Sequence, residues 1–205
     1  VHIDKKEALE NKEIEEAIHT RNTLSGIGKL LKSLKPPKAH GYSRGMLLPD
    51  ITNNILSAEK EIEHHEQEIE ATLKDYEKLQ SWGNYSYELF VPLIDRGYHV
   101  YMCVAANKVF QNLDLSGLYI QVVNKSLKDV FFIVITKNSD LQLPIEYIPI
   151  PQQSPEELQK EVRLRRSKIK LLTKKIANYR PYLNRVQEEY LSYRDKIDLL
   201  EAKYS

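Results

Sequence analysis

The chain has 205 residues, enough for one ordinary domain or for a small domain carried on something elongated. Its 30 basic and 29 acidic side chains nearly cancel, which removes the basic excess expected of a nucleic-acid binder. The strongly apolar run Val130-Phe131-Phe132-Ile133-Val134-Ile135 falls far short of the roughly 20 residues that a membrane-spanning helix needs. A single cysteine, Cys103, excludes an internal disulfide and a cysteine zinc cluster, and fits a reducing compartment. The chain opens on valine without a signal-like segment and reads as a piece of something longer.

Residues 1–81 are expected to hold two coiled-coil helices, about 4–34 and 50–81, joined by a linker over 35–49. Asp4 and Glu7 stand in a capping-box arrangement at the first helix. Its apolar stripe is Ala17, Leu24 and Leu31 with Ile27 and Leu34, and Pro36-Pro37 ends it. Asp50 is expected to cap the second helix, where Ile55, Ile62, Ile69 and Tyr76 recur every seven residues. A weaker series, Ala58, His65, Thr72 and Leu79, runs beside it, and the helix should end near Ser81, before Gly83.

Residues 82–150 change character and predict an α+β lobe. Tyr85 to Arg96 reads as a helix closed by Gly97, with Leu89, Phe90, Leu93 and Ile94 on its buried side and Pro92 as a local conflict. Tyr98 to Val104 reads as a strand, followed by a short helix around Asn107–Leu113. Leu118, Ile120 and Val122 alternate in a second strand, and Asp129 to Thr136 is a strongly apolar third. Ile145 and Tyr147 suggest a short edge strand, because Pro144, Pro149 and Pro151 cannot donate in a central ladder.

Residues 151–205 predict a long return helix. Ser154-Pro155-Glu156-Glu157 supplies an N-cap serine, a proline at the first helical position and a capping-box glutamate. Val162, Ile169, Ile176, Leu183, Tyr190, Ile197 and Tyr204 then recur every seven residues beside Leu158, Arg165, Leu172, Tyr179, Val186, Tyr193 and Leu200. Only Arg165 breaks this apolar pattern. A helix of about 50 residues is about 75 Å long. Pro181 should kink it near residues 177–181.

Charge suggests how the helices pair. Residues 59–70 carry Glu59, Glu61, Glu63, Glu66, Glu68 and Glu70 against Lys60 alone. Residues 163–175 carry Arg163, Arg165, Arg166, Lys168, Lys170, Lys174 and Lys175 and no acid. If the lobe caps a hairpin, residue 80 lies opposite about residue 155, and 59–70 face 165–176. Exposed ion pairs contribute little each, so this match speaks for orientation more than stability. The last stretch of the return helix would run beyond Asp50, where the first helix could supply its apolar partner. The expected fold is α+β, a long antiparallel helical coiled-coil bundle (a hairpin) capped by a small lobe with a mainly antiparallel sheet.

Candidate chemistry is sparse. His64 and His65, with Glu61 and Glu68, could suggest metal ligands, but adjacent helical side chains diverge by about 100°. Cys103 lies in an apolar strand, where buried cysteine is usually inert. No phosphate loop, Gly-x-Ser-x-Gly or His-Glu-x-x-His motif occurs. No residue is nominated for catalysis, a metal or a cofactor, and the pattern argues against an enzyme. The basic run could bind RNA, yet an acidic helix of matching length awaits it. Of the 13 tyrosines, Tyr76, Tyr179, Tyr190, Tyr193 and Tyr204 hold heptad positions, whereas Tyr85, Tyr87, Tyr98, Tyr119 and Tyr147 belong to the lobe. Tyr85, Tyr87 and Arg96 are the candidates for partner binding on the lobe surface.

The Val1-His2-Ile3 start, the acidic and basic helices, Trp82-Gly83 at the head of the lobe, the strand pair around Val122–Thr136 and the Ser154-Pro155-Glu156-Glu157 restart form a recognisable order. It resembles subunit I of bacterial and archaeal V-type ATPases, the homologue of eukaryotic subunit a, over nearly the whole chain. The resemblance implies the cytoplasmic N-terminal domain, at the cytoplasmic face of the cell membrane. It implies a stator that links peripheral stalks to the membrane ion-translocating sector and so supports proton or sodium transport coupled to ATP. The implied partners are the peripheral-stalk heterodimer (subunits E and G type) and other V-type subunits, with no cofactor and no nucleic acid. Membrane contact would come only through a C-terminal half that this chain does not contain. A coiled-coil arm that grips tRNA is the alternative, and a chromosome-organising coiled coil with a dimerising hinge is a third reading.

Overall fold

The computed structural model describes the backbone of residues 2–37 and 45–204 and the side chains of 9–37 and 45–203. Val1, the side chains of the capping pair Asp4 and Glu7, much of the 35–49 linker and the side chain of Tyr204 lie outside those residues. The fold is α+β, with long helices and one four-stranded antiparallel sheet. Residues divide into two compact units, 1–65 with 167–205, and 66–166.

The first unit is helical, and its sevenfold spacing becomes burial. It contains α1 (His2–Ser33), the first part of α2 (Leu48–Leu79), the last part of α5 (Pro155–Ala177) and α6 (Leu183–Tyr204). Leu24, Ile27 and Leu31 of α1, Ile51, Ile55 and Ala58 of α2, Ile176 of α5, and Leu183 and Val186 of α6 form one buried cluster. Removing a side chain of this size from water contributes about 1.5–3 kcal/mol. Ala17 of α1 packs separately with Ile197 and Leu200 of α6. Together the two clusters set α1 antiparallel to α6, the apolar partner expected for the end of the chain. The helices approach closely: a Cβ added at Gly28 would lie 3.8 Å from Val186 Cγ1.

Three helix boundaries depart from expectation. α1 begins at His2, so Asp4 lies inside the helix and not at its cap. α2 begins at Leu48, which puts Pro49 in the first turn, where a missing N–H costs nothing. Asp50 therefore lies in the first turn, its charge still near the positive end of the helix. The single return helix expected over 151–205 is two helices. Pro181 bars a bond to the carbonyl four residues earlier, at Ala177, which is where α5 stops. The chain tightens to a 3-10 turn over Arg180–Tyr182 before α6 resumes at Leu183. Amides of Tyr179 and Tyr182 donate to the carbonyls of Ile176 and Tyr179, each at 2.9 Å. The apolar series survives this break, with Ile176, Leu183 and Val186 all buried.

The second unit is built on the sheet. After α2 come a 3-10 turn over Gln80–Trp82, another over Tyr87–Leu89, and α3 (Val91–Ile94). β1 (His99–Ala106), α4 (Asn107–Phe110), β2 (Tyr119–Lys125), β3 (Asp129–Thr136) and β4 (Glu146–Pro149) follow, and the start of α5 closes the unit. The strand order is β2-β3-β1-β4. β1 and β3 pair from His99 opposite Thr136 to Ala106 opposite Asp129. Their central position explains their continuous apolar sequence, since both faces are covered. One face buries Tyr101, Cys103, Ala105, Val130, Phe132, Val134 and Leu141. There Phe110 of α4 meets Phe132 edge-on at 4.9 Å. The other face buries Val100, Met102, Ile133 and Ile150 against Leu79 of α2 and Leu158 of α5.

β4 is an edge strand that ends on Pro149, as its prolines require. The helix expected over Tyr85–Arg96 is not continuous. Pro92 occupies the first turn of α3, the one place in a helix that tolerates it, so the chain breaks before it. Leu89 consequently turns out to solvent, 74% exposed, whereas Phe90 and Ile94 pack against the sheet. Ser154 and Glu157 form the expected capping box at α5. The Ser154 amide donates to Glu157 Oε2 at 2.7 Å, and the Glu157 amide donates to Ser154 Oγ at 3.3 Å.

Candidate functional site

The three lobe candidates do not converge. The Tyr85 hydroxyl donates to the carbonyls of Pro151 and Gln153, at 3.1 and 2.8 Å. Burial, then the nearby Glu157 charge, pushes its pKa up to about 12. Tyr85 thus ties the start of the lobe to the segment before α5, and its polar end is already satisfied. Tyr87 packs against the same apolar cluster and lines a groove of about 210 Å³ with Ile94, Tyr98 and Ile150. Arg96 stands apart on the exposed turn before Gly97, whose φ of 81° closes that turn. Two other lobe tyrosines are occupied or exposed: Tyr147 donates to the Leu141 carbonyl, and Tyr119 is 67% exposed.

Cys103 is fully buried in β1, opposite Phe132 and Tyr147. Burial pushes its thiol up to about 12, so the protonated and unreactive form prevails at neutral pH. The His64 and His65 rings lie 5.9 Å apart and tilted by 35°. Among the described residues, no three His, Cys, Asp or Glu side chains are grouped to hold a metal ion. His65 sits at its heptad position half-buried, with a buried Nδ1 that has no hydrogen-bond partner.

Arg165, the one charged residue in the apolar series, carries the clearest electrostatic geometry. Its guanidinium meets Glu161 one turn back at 2.7 Å and Glu68 of α2 at 3.0 Å. The side chain is only 19% exposed, so the fork keeps a charge satisfied where an apolar residue was expected. Hydrogen bonds from Arg165 and then Gln153 hold the Glu161 carboxyl below its usual pKa. The acidic and basic blocks therefore touch at Glu68–Arg165. Glu70, expected to face the basic helix, pairs instead with Lys74 of its own helix at 2.7 Å.

A groove of about 570 Å³ runs beside β4, lined by Asp75, Lys78, Leu79, Ile148, Pro151 and Leu158. A neighbouring groove of about 250 Å³ brings Trp82, Met102, Phe131 and Glu146 together with the same Lys78 and Ile148. These walls are apolar with few charged groups, and they offer no nucleophile beside a base. The sequence reading passed over Leu164 and Leu171 because they belong to neither seven-spaced series. They are 58% and 65% exposed on α5. Their spacing of seven was the signal that could have marked them. No helix among the described residues is long and apolar enough to cross a membrane. Comparison with protein-family models, curated proteins and solved structures gave no match.

Proposed function

We propose that the chain is the cytoplasmic N-terminal part of subunit I of a V-type ATPase and acts as a stator. The observation that carries this reading is the order of its parts. Two long helices lead through Trp82 into a four-stranded antiparallel lobe, and a capped helix restarts at Ser154. Rotary catalysis needs a static frame that keeps the ATPase head from turning with the rotor. Long helices joined in sequence to a small docking lobe suit that need. In this reading α2 and α5 form an antiparallel coiled-coil hairpin, with Arg165 and Glu68 fixing its register. The lobe holds the end of a peripheral stalk, and torque loads the helices.

The partner on this reading is the peripheral-stalk heterodimer of E and G type, and the chain works at the cytoplasmic face of the membrane. Exposed apolar residues of the lobe, Leu89, Tyr119 and Leu127, are better docking candidates than Tyr85, whose hydroxyl is engaged. Calorimetric titration with the heterodimer from the same organism tests the proposal, with a charge-matched RNA hairpin as control. Saturable stalk binding, weakened at least tenfold in a Leu89→Asp/Tyr119→Asp/Leu127→Asp variant, is the expected result. Absence of stalk binding together with tight, salt-sensitive RNA binding overturns it in favour of a nucleic-acid arm.

A further inference from the structure

We infer that the outward face of α5 is a docking site for an acidic helix of another polypeptide, one that carries apolar residues every seven positions. The face belongs to one uninterrupted helix, so its spacing follows from helix geometry alone. Leu164 and Leu171 are separated by two turns, a rise of about 10.5 Å with about 20° of angular drift. They lie opposite the side that carries Leu158, Val162, Leu172 and Ile176, and they stay 58% and 65% exposed. Nothing in the seam of α5 uses them.

The charges around the two leucines are mostly positive, since Glu161, one turn before Leu164, is engaged by Arg165, and Glu157 is engaged in the cap at Ser154. Lys160, Lys168, Lys174 and Lys175 are exposed and flank them within a turn, and no acid occurs from residue 162 to 177. A partner that buries both leucines must therefore bring negative charge to its own rim. Nucleic acid would satisfy the lysines but gain nothing from leucine, and α5 carries no aromatic residue on which a base could stack. A second copy of this chain fits less well. Its acidic helix α2 has no exposed large apolar residue from Asp50 onward to meet Leu164 and Leu171. An acidic helix with a seven-residue apolar repeat answers both features, and it does so whether or not the stator reading holds.

The test uses the intact chain and a labelled 28-residue peptide with leucine at heptad positions a and d and glutamate at e and g. Binding is followed by fluorescence anisotropy at about 150 mM salt, where screening removes weak long-range attraction. Saturable binding is expected, weakened at least tenfold by Leu164→Glu/Leu171→Glu and several-fold by Lys168→Glu/Lys175→Glu. Lys125→Glu/Lys128→Glu, an equal charge change at the end of β2 and in the turn after it, should leave affinity within twofold. All four leucine and lysine positions on α5 are exposed, and circular dichroism checks that each variant keeps its helix content. Equal binding of a glutamate-only peptide, or affinity indifferent to the leucine variant, overturns the proposal. So does binding of an RNA hairpin with none of the peptide, or self-association of the chain that the leucine variant abolishes.

Discussion

The helical unit and the sheet unit solve burial in different ways, and the difference shows in what each tolerates. In the helical unit each helix contributes a narrow stripe, and residues such as Ile55, Leu31 and Val186 reach full burial only because stripes from different helices meet. In the sheet unit β1 and β3 are apolar on both sides, and each face is closed by a separate set of elements. Polar residues in the helix seams differ as well. Arg165, in the unit that carries the sheet, is held by Glu68 and Glu161, whereas His65, in the helical unit, keeps an unpartnered Nδ1. A stripe accepts a charged residue where a facing helix supplies its counter-charge.

The largest expected effects test whether the two units behave separately. Phe132 is fully buried under Phe110, so Phe132→Ala should cost about 3–5 kcal/mol. Ile55→Ala in the helical core should cost about 2–4 kcal/mol. Trp82, the single tryptophan, packs edge-on against Phe131 at 4.9 Å and reports on the sheet unit. Urea unfolding followed by Trp82 fluorescence should shift mainly for Phe132→Ala, and the far-ultraviolet helix signal mainly for Ile55→Ala. Equal shifts of both probes in both variants would mean that the units unfold together, and the contrast would fall.

A smaller effect should mark Arg165. Arg165→Ala leaves Glu161 without its main donor and should destabilise the protein by about 1 kcal/mol at neutral pH. Glu161 has a folded pKa below its ordinary value of 4.5, so its contribution is present above that value. The contribution is lost as pH falls through the folded pKa. The gap between wild type and Arg165→Ala should therefore be constant from pH 7 to about 5 and close under more acidic conditions. A gap that stays open in acid would assign the loss to packing of the Arg165 stem.

The smallest predicted change is a gain. Gly26 lies within α1 and a Cβ there would meet nothing within 4 Å. Gly26→Ala should stabilise the helical unit by about 0.5–1 kcal/mol, read as a higher urea midpoint of the helix signal. A loss of stability would show that α1 packs more tightly at this position than its neighbours suggest.

Much of this architecture was legible in the residues. The seven-spaced positions from Leu158 to Leu200 are all buried or half-buried, because helical periodicity places them on one side whatever they pack against. The Ser154–Glu157 cap, the exact span of β3 and the edge position of β4 follow from local rules of the same kind. Asp4 and Asp50 misled because an aspartate is equally at home at a cap or in the first turn. Partner residues were hardly legible. Tyr85 looked like a surface tyrosine until Pro151 and Gln153, more than sixty residues away, accepted its hydroxyl.

The sequence by itself determined where the long helices and the strands run, a disturbance at Pro181 and the two charge blocks, since periodicity, proline chemistry and capping act within a few residues. Tertiary structure alone decided which charges meet and which side chains stay outside. Arg165 turns inward to Glu68, and Leu164 and Leu171 are left facing solvent. Those outcomes depend on distances between segments remote in the chain, and no local pattern encodes a distance of that kind.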